Sequence, residues 1–118
     1  HLKVLGDGSQ RKSYLYVNDC ISGILHAIKN CDNKINILNL GTNEYVTVNQ
    51  SISIICKELN VNPELTYTGG DRGWVGDNPF IWLDCKKINS KGWHPTLSIS
   101  DSVRKTVNWI KKNQWIIS

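Results

Sequence analysis

The sequence lacks the patterns that mark membrane, exported and nucleic-acid-binding proteins. No apolar run approaches the roughly 20 residues needed to span a bilayer, and the amino terminus has neither the basic start nor the apolar core of a signal peptide. The formal net charge is only +4, and the basic side chains are scattered from Lys3 to Lys112 instead of lying in one dense run. We therefore predict a cytoplasmic chain that binds neither membranes nor nucleic acid.

The four cysteines also lack the spacing of a metal site. Cys20, Cys31, Cys56 and Cys85 are 11, 25 and 29 residues apart, with no Cys-x-x-Cys pair and no Cys/His cluster of zinc spacing. We therefore predict no bound metal, and we interpret the cysteines as buried, reduced thiols of an intracellular protein.

What is present is an ordinary globular composition. Hydrophobic residues make up 40% of the chain and charged residues 20%, which argues against a disordered or fibrous protein. A chain of 118 residues is long enough to bury a real core. The prediction is one small domain over residues 1–118.

Apolar periodicity predicts strands that alternate with helices. The predicted strands cover residues 2–5, 14–17, 35–41, 64–68 and 80–83. The predicted helices run from 18 or 19 to 29, from 47 to before 62, from 84 to 88 and from 98 to about 112. The residues able to cap these helices are Asn18 or Asp19, Thr47 with Gln50, Asp84, and Ser98 with Asp101. This order indicates an α/β fold.

Four segments together resemble a known family. They are residues 5–19 (LGDGSQRKSYLYVND), 39–41 followed by 46–48, 72–77 (RGWVGD) and 91–95 (KGWHP). In this order and spacing they resemble the carboxyl-terminal half of extended short-chain dehydrogenase/reductases that act on nucleotide sugars, above all the UDP-glucose 4-epimerase-like members. The resemblance implies a small mixed α/β substrate-binding domain that closes over a UDP-sugar bound to a larger Rossmann domain, in a homodimeric parent enzyme.

Two other signatures of that family are missing. No Gly-x-x-Gly-x-x-Gly or Gly-x-Gly-x-x-Gly turn occurs, although such a turn seats a dinucleotide pyrophosphate on a helix amino terminus. None of Tyr14, Tyr16, Tyr45 and Tyr67 has Lys four residues later, so the catalytic Tyr-x-x-x-Lys pair is absent. The resemblance therefore implies that NAD is bound by a missing amino-terminal half, and that this chain contains no catalytic residue and is inactive alone.

The resemblance implies substrate-binding roles for Arg11, Lys12, Arg72 and Asp77. A diphosphate binds cationic donors held on loops, and guanidinium is favoured where two phosphate oxygens are bridged. Lys12 and Arg72 stand at matching family positions, and Arg11 directly precedes Lys12. Asp77 matches an acidic residue that accepts hydrogen bonds from the ribose hydroxyls in relatives. The alternatives are solvated surface charges for the cations and an Asx turn for Asp77.

The five tryptophans are divided between two expected roles. Trp74 lies in the same loop as Arg72 and is a candidate for stacking on a base or a sugar. The other four are expected to fill the core, the usual use of large aromatic side chains. These are Trp82, Trp93, Trp109 and Trp115.

Three functions remain open at this point. The first is the nucleotide-sugar-binding portion of an NAD-dependent sugar 4-epimerase, which the resemblance favours. The second is the corresponding portion of a 4,6-dehydratase of the same family. The third is a binding module that recognises a nucleotide or sugar phosphate without any reaction.

Overall fold

Short strands and longer helices alternate along the chain. The computed structural model describes residues 1–78 and 80–117. Within these ranges the strands are β1 (Leu2–Val4), β2 (Arg11–Lys12), β3 (Val46–Thr47) and β4 (Leu65–Tyr67). The helices are α1 (Val17–Asn30), α2 (Val48–Leu59), α3 (Lys86–Asn89) and α4 (Ile99–Lys112), followed by a 3-10 turn at Gln114–Ile116. The predicted mixed α/β fold is confirmed.

The strands form two separate two-stranded ladders. β1 and β4 pair in parallel, with Leu2 opposite Leu65 and Val4 opposite Tyr67. β2 and β3 pair antiparallel, and Lys12 lies opposite Val46. Because parallel strands end at the same edge, the loops that follow β1 and β4 are neighbours. This topology joins segments that are more than 60 residues apart in sequence.

Local capping signals predict α2 and α4 well. The Thr47 hydroxyl accepts a hydrogen bond from Gln50 N at 3.1 Å, while Gln50 Oε1 accepts one from Thr47 N at 2.8 Å. α2 then stops at Asn60, whose φ of 54° is left-handed. α4 begins after Ser98, whose hydroxyl accepts from Asp101 N at 3.1 Å. Both predicted boundaries are confirmed.

Asp84 also caps as predicted, whereas the cap predicted for α1 is wrong. Lys86 N donates to Asp84 Oδ1 at 2.9 Å at the start of α3. α1 starts after Tyr16, with no side-chain cap. Asp19 is buried, and its carboxylate accepts from the Thr96 hydroxyl at 2.7 Å and from Leu97 N at 3.2 Å. The carboxylate thus ties α1 to the segment before α4 instead of capping its own helix.

Three of the predicted strands do not form. Residues 14–16 lead into α1, and the pairing in this part of the chain falls at β2 instead. Residues 35–41 and 80–83 have no strand partner among the described residues. A strand is stabilised by its ladder of hydrogen bonds with a neighbour, so an alternating apolar sequence alone does not produce one. The side chains of Ile35 and Ile37 are accordingly exposed.

The core is small and lies between α1 and α3. Its buried cluster consists of Cys85, Ile88 and Trp93, and the partly buried side chains packed against it are Leu15, Ala27, Leu38 and Leu40. Trp93 also donates from its indole Nε1 to the Ser22 hydroxyl at 2.9 Å. A Cβ atom on Gly23 would lie 3.0 Å from the Trp93 ring, so glycine allows this close approach.

Two expectations about burial are wrong. Trp93 is buried as predicted, but Trp82, Trp109 and Trp115 are 46%, 51% and 72% exposed. Among the cysteines only Cys85 is buried, and burial raises the pKa of its thiol; the other three are half-buried. All four thiols are free. The core is too small to cover every large apolar side chain that the sequence supplies.

One face of α1 exposes a continuous set of apolar side chains. This α1 face consists of Val17, Ile21, Ile24, Leu25 and Ile28. Their spacing of three and four residues places them along one side of the helix.

Within the described part of the chain, no helix combines the length and the apolar character that a membrane crossing requires.

Candidate functional site

Two loops that carry family-like motifs meet beside the β1–β4 ladder. Gly6 N donates to the Thr68 hydroxyl at 2.7 Å, and Asp7 N donates to the Gly70 carbonyl at 2.8 Å. Gly69 N donates in return to the Gly6 carbonyl at 3.1 Å. Gly6 adopts a φ of 80°, a left-handed conformation that favours glycine. These bonds hold the loop after β1 against the loop that contains Arg72.

Lys12 and Asp77 meet at this junction. Lys12 Nζ donates to Asp77 Oδ1 at 2.6 Å and to the Asn78 carbonyl at 2.8 Å. The Lys12 side chain is 25% exposed and that of Asp77 is 13% exposed. The β2–β3 ladder fixes the backbone of Lys12, and thus the point from which its side chain extends towards Asp77. The structure therefore brings together two of the four predicted site residues.

Asp77 is an ionised group held by its own loop. Its Oδ2 accepts from Gly73 N at 3.1 Å, and its backbone N donates to the Trp74 carbonyl at 2.9 Å. The hydrogen bond from Lys12, followed by that from Gly73 N, lowers the pKa of Asp77 below its ordinary value. The carboxylate is thus charged at neutral pH and closes the loop from Gly73 to Asp77.

Arg72 has an anchored backbone and an exposed side chain. A Cβ atom on Gly6 would lie only 2.9 Å from the Arg72 carbonyl oxygen, so the two loops are in close contact. Among the described residues, the Arg72 guanidinium has neither a hydrogen bond nor an ion pair. The side chain is therefore available to an incoming ligand, but it does not contact Lys12 or Asp77.

Arg11 is engaged elsewhere. Its guanidinium carbon lies 4.0 Å from the centroid of the Phe80 ring and 5.4 Å from that of Tyr45. Tyr45 also packs edge-on against Phe80 and Trp82, with ring centroids 5.6 and 6.3 Å apart. Neighbouring residues of a strand point to opposite faces, which separates Arg11 from Lys12. Sequence reasoning missed this aromatic cluster, although Phe80 and Trp82 show the period of two that places side chains on one face.

Gln10 is a second feature that the sequence did not reveal. Its side chain is only 2% exposed and donates from Nε2 to the Leu5 carbonyl at 3.4 Å, while its Oε1 has no partner. The amide packs so closely against Gly6 that a side chain at Gly6 would collide with it. Gln10 therefore fills the space beneath the junction of the two loops.

Trp74 is an exposed residue of the loop that contains Arg72. Its ring covers Gly76, where a Cβ atom would collide with it. The outer face of the ring is in contact with solvent, as the exposure of its side chain indicates. Stacking of Trp74 on a ligand stays a prediction.

The turn after β1 does not fit the pyrophosphate of a dinucleotide. Gly6 and Gly8 follow β1, as glycines do in a dinucleotide-binding turn, but the chain continues into β2 and not into a helix. The space above Gly6 is filled by the Gln10 amide, and that above Gly8 by the Asn49 side chain. In residues 1–78 and 80–117, no three His, Cys, Asp or Glu side chains converge as metal ligands either.

Comparison with known proteins agrees with this fold. Residues 1–41 match the model of the NAD dependent epimerase/dehydratase family. The chain is 34% identical over 110 residues to a candidate UDP-glucose 4-epimerase of Methanocaldococcus jannaschii, covering 93% of this chain and 34% of that protein. It is 30% identical to the mouse dTDP-D-glucose 4,6-dehydratase, covering 92% and 31%. The UDP-glucose 4-epimerase of Thermotoga maritima, solved with UDP-glucose, superposes with a TM-score of 0.83 at 28% identity, covering 97% and 36%.

The small α/β fold is thus shared with part of a larger enzyme type. The chain belongs to the NAD-dependent epimerase/dehydratase family of extended short-chain dehydrogenase/reductases, and it matches a carboxyl-terminal portion of those proteins. It spans about a third of the length of the relatives it matches.

Proposed function

We propose that this chain is the nucleotide-sugar-binding portion of an NAD-dependent UDP-sugar 4-epimerase. The observation that carries the proposal is the contact of Lys12 with Asp77, at 2.6 Å, beside the loop of Arg72. One cation and one carboxylate in contact match the two polar parts of a nucleoside diphosphate, since phosphate oxygens accept from cations and ribose hydroxyls donate to a carboxylate.

Each of the candidate residues then has a distinct role. Lys12 binds a phosphate oxygen through its compact ammonium group, which acts as a point charge. The β2–β3 ladder fixes the backbone from which this side chain extends. Arg72 closes onto the diphosphate from its exposed position and bridges two oxygens with its planar guanidinium. Asp77 accepts hydrogen bonds from the ribose. Arg11 contributes positive charge from its position over Phe80 without direct contact in this arrangement.

The chemistry itself belongs to the rest of the parent enzyme. NAD would supply transient oxidation of the sugar at C4, and a preceding Rossmann portion would bind it, because neither a dinucleotide turn nor a Tyr-x-x-x-Lys pair occurs in this chain. We propose that the α1 face packs against that portion. The exposed apolar side chains of α1, and the segment of residues 35–41 that has no strand partner among the described residues, support this assignment. The free thiols are consistent with a reducing, cytoplasmic location.

A 4,6-dehydratase is the second candidate for the parent enzyme. The similarity to the mouse dTDP-D-glucose 4,6-dehydratase favours it. The two reactions are distinguished by their products, since epimerisation retains the C6 hydroxyl and 4,6-dehydration removes it as water. Mass spectrometry of the product made by the full-length protein with UDP-glucose would therefore separate them by the mass of one water.

Calorimetric titration of the chain with UDP and with uridine tests the binding role. We expect UDP to bind measurably and uridine to bind at least about tenfold more weakly, because only UDP engages the cations with charge-assisted hydrogen bonds. Equal binding of UDP and uridine, or no binding of UDP by the folded chain, would contradict the proposal.

A further inference from the structure

The two groups that are assigned to different parts of the ligand are bonded to each other in this structure. The Lys12 ammonium has three N–H donors, and two of them are used by Asp77 Oδ1 at 2.6 Å and the Asn78 carbonyl at 2.8 Å. Both carboxylate oxygens of Asp77 are also used, since Oδ2 accepts from Gly73 N. An anion that approaches Lys12 therefore also approaches a charged carboxylate.

This arrangement treats different phosphate ligands differently. Inorganic phosphate or diphosphate is attracted by Lys12 and repelled by Asp77, and it brings no ribose hydroxyls to take the place of Lys12 at the carboxylate. A nucleoside diphosphate brings ribose hydroxyls, which donate to a carboxylate. Only the nucleoside diphosphate supplies ribose hydroxyls that replace the Lys12 hydrogen bond at Asp77 when Lys12 binds a phosphate.

We propose that Asp77 is a specificity-determining residue, which pairs with Lys12 so that the site rejects free phosphate and diphosphate and accepts a diphosphate linked to a nucleoside. The exclusion is electrostatic, and the acceptance is an exchange of hydrogen-bond partners. This inference rests on the proposed function, because it takes Lys12 as a phosphate ligand and Asp77 as a ribose ligand.

The neighbouring charges single out Asp77 for this role. Among the described residues, Lys12 forms its one ion pair with Asp77. Asp71 lies in the same loop, is exposed, and has no side-chain hydrogen bond or ion pair in the part of the chain that the structure describes. The Arg11 guanidinium lies over the Phe80 ring. Asp71 is therefore a matched control for removal of one negative charge from this loop.

The test is calorimetric titration of the 118-residue chain with inorganic pyrophosphate and with UDP. Asp77→Asn removes the charge and keeps a carbonyl oxygen for Gly73 N. We expect this variant to bind pyrophosphate about fivefold more tightly than the unmodified chain, because Lys12 no longer has to leave a partly exposed ionic partner. UDP binding should not improve, so the preference for UDP over pyrophosphate falls at least about fivefold. Asp71→Asn should leave that preference within about twofold of its original value.

Two further variants make the result specific. In a Lys12→Met background, Asp77→Asn should give no gain in pyrophosphate binding, because the competition for Lys12 no longer exists. Asp77→Ser also removes the charge and retains an oxygen, and it replaces Asp77→Asn if melting curves show that the asparagine variant does not fold. The same outcomes apply to it.

The possible failures are distinguishable. If Asp77→Asn weakens pyrophosphate as much as UDP, Asp77 merely positions Lys12, and this inference is overturned while the proposed function stands. If neither the unmodified chain nor Asp77→Asn binds pyrophosphate at millimolar concentration, the inference is also overturned. If the unmodified, folded chain does not bind UDP, the proposed function fails as well.

Discussion

Gly6→Ala should destabilise the chain much more than the same change at Gly70. Gly6 and Gly70 have φ values of 80° and 85°, so alanine suffers a similar backbone strain of about 1 kcal/mol at either position. At Gly70 a new Cβ atom meets nothing within 4 Å. At Gly6 it would collide with the Gln10 amide and lie 2.9 Å from the Arg72 carbonyl oxygen.

The collision at Gly6 is hard to relieve. The Gln10 side chain is 2% exposed, so its amide has little free space to enter, and the Arg72 carbonyl belongs to the backbone. Overpacking of this kind costs about 1–3 kcal/mol. We therefore expect a total loss of about 2–4 kcal/mol in the free energy of unfolding for Gly6→Ala, against about 1 kcal/mol for Gly70→Ala.

Urea denaturation followed by tryptophan fluorescence measures both values. The difference between the two variants isolates the collision from the strain. Equal losses for Gly6→Ala and Gly70→Ala would refute the reasoning, since they would mean that the loops separate freely at this junction. UDP binding by the Gly6 variant should also fall, because the backbone of Arg72 is displaced.

Three other changes have defined outcomes. Arg72→Ala should weaken UDP binding about tenfold in calorimetry, because a charge-assisted contact is lost. The control Arg104→Ala on α4 removes the same charge and should leave the affinity for UDP unchanged. Equal effects of the two changes would contradict the assignment. Burial raises the pKa of Asp19, but hydrogen bonds from Thr96 and Leu97 outweigh this and lower it below the ordinary value. Asp19 thus stabilises the fold at neutral pH, and that contribution is lost as the pH falls from about 4 through the lowered pKa. In Asp19→Asn the free energy of unfolding should therefore depend less on pH in this range. An unchanged pH dependence would exclude the role. Ile28→Lys on the exposed α1 face should reduce self-association in sedimentation velocity, and a monomeric unmodified chain would show that this face does not drive association.

Local signals in the sequence predicted the helices better than the strands. Thr47 with Gln50, and Ser98, satisfy backbone groups within three residues of themselves, so short-range chemistry is sufficient to place α2 and α4. The failed strand over residues 35–41 depends on a neighbouring chain segment, which no local pattern supplies. The misplaced cap at Asp19 has a similar origin, because its partners Thr96 and Leu97 are distant in sequence.

The candidate site likewise has a part that the sequence predicts and a part that depends on the fold. Motif positions in the sequence predict Arg11, Lys12, Arg72 and Asp77 as site residues, because a resemblance depends only on residue type and spacing. That Arg11 turns to an aromatic cluster, while Lys12 turns to Asp77, depends on opposite faces of β2.

The sequence by itself determined the resemblance to the family, the capped helices and the residue types present at the candidate site. Only the tertiary structure decided which of those residues meet. The parallel pairing of β1 with β4 and the left-handed turn at Gly6 bring two distant loops into contact, and the β2–β3 ladder holds Lys12 beside Asp77. The ion pair joins residues that are 65 positions apart in sequence, and it is a property of that packing. The local bonds of Asp77 to Gly73 and Trp74 close only its own loop and do not bring it to Lys12.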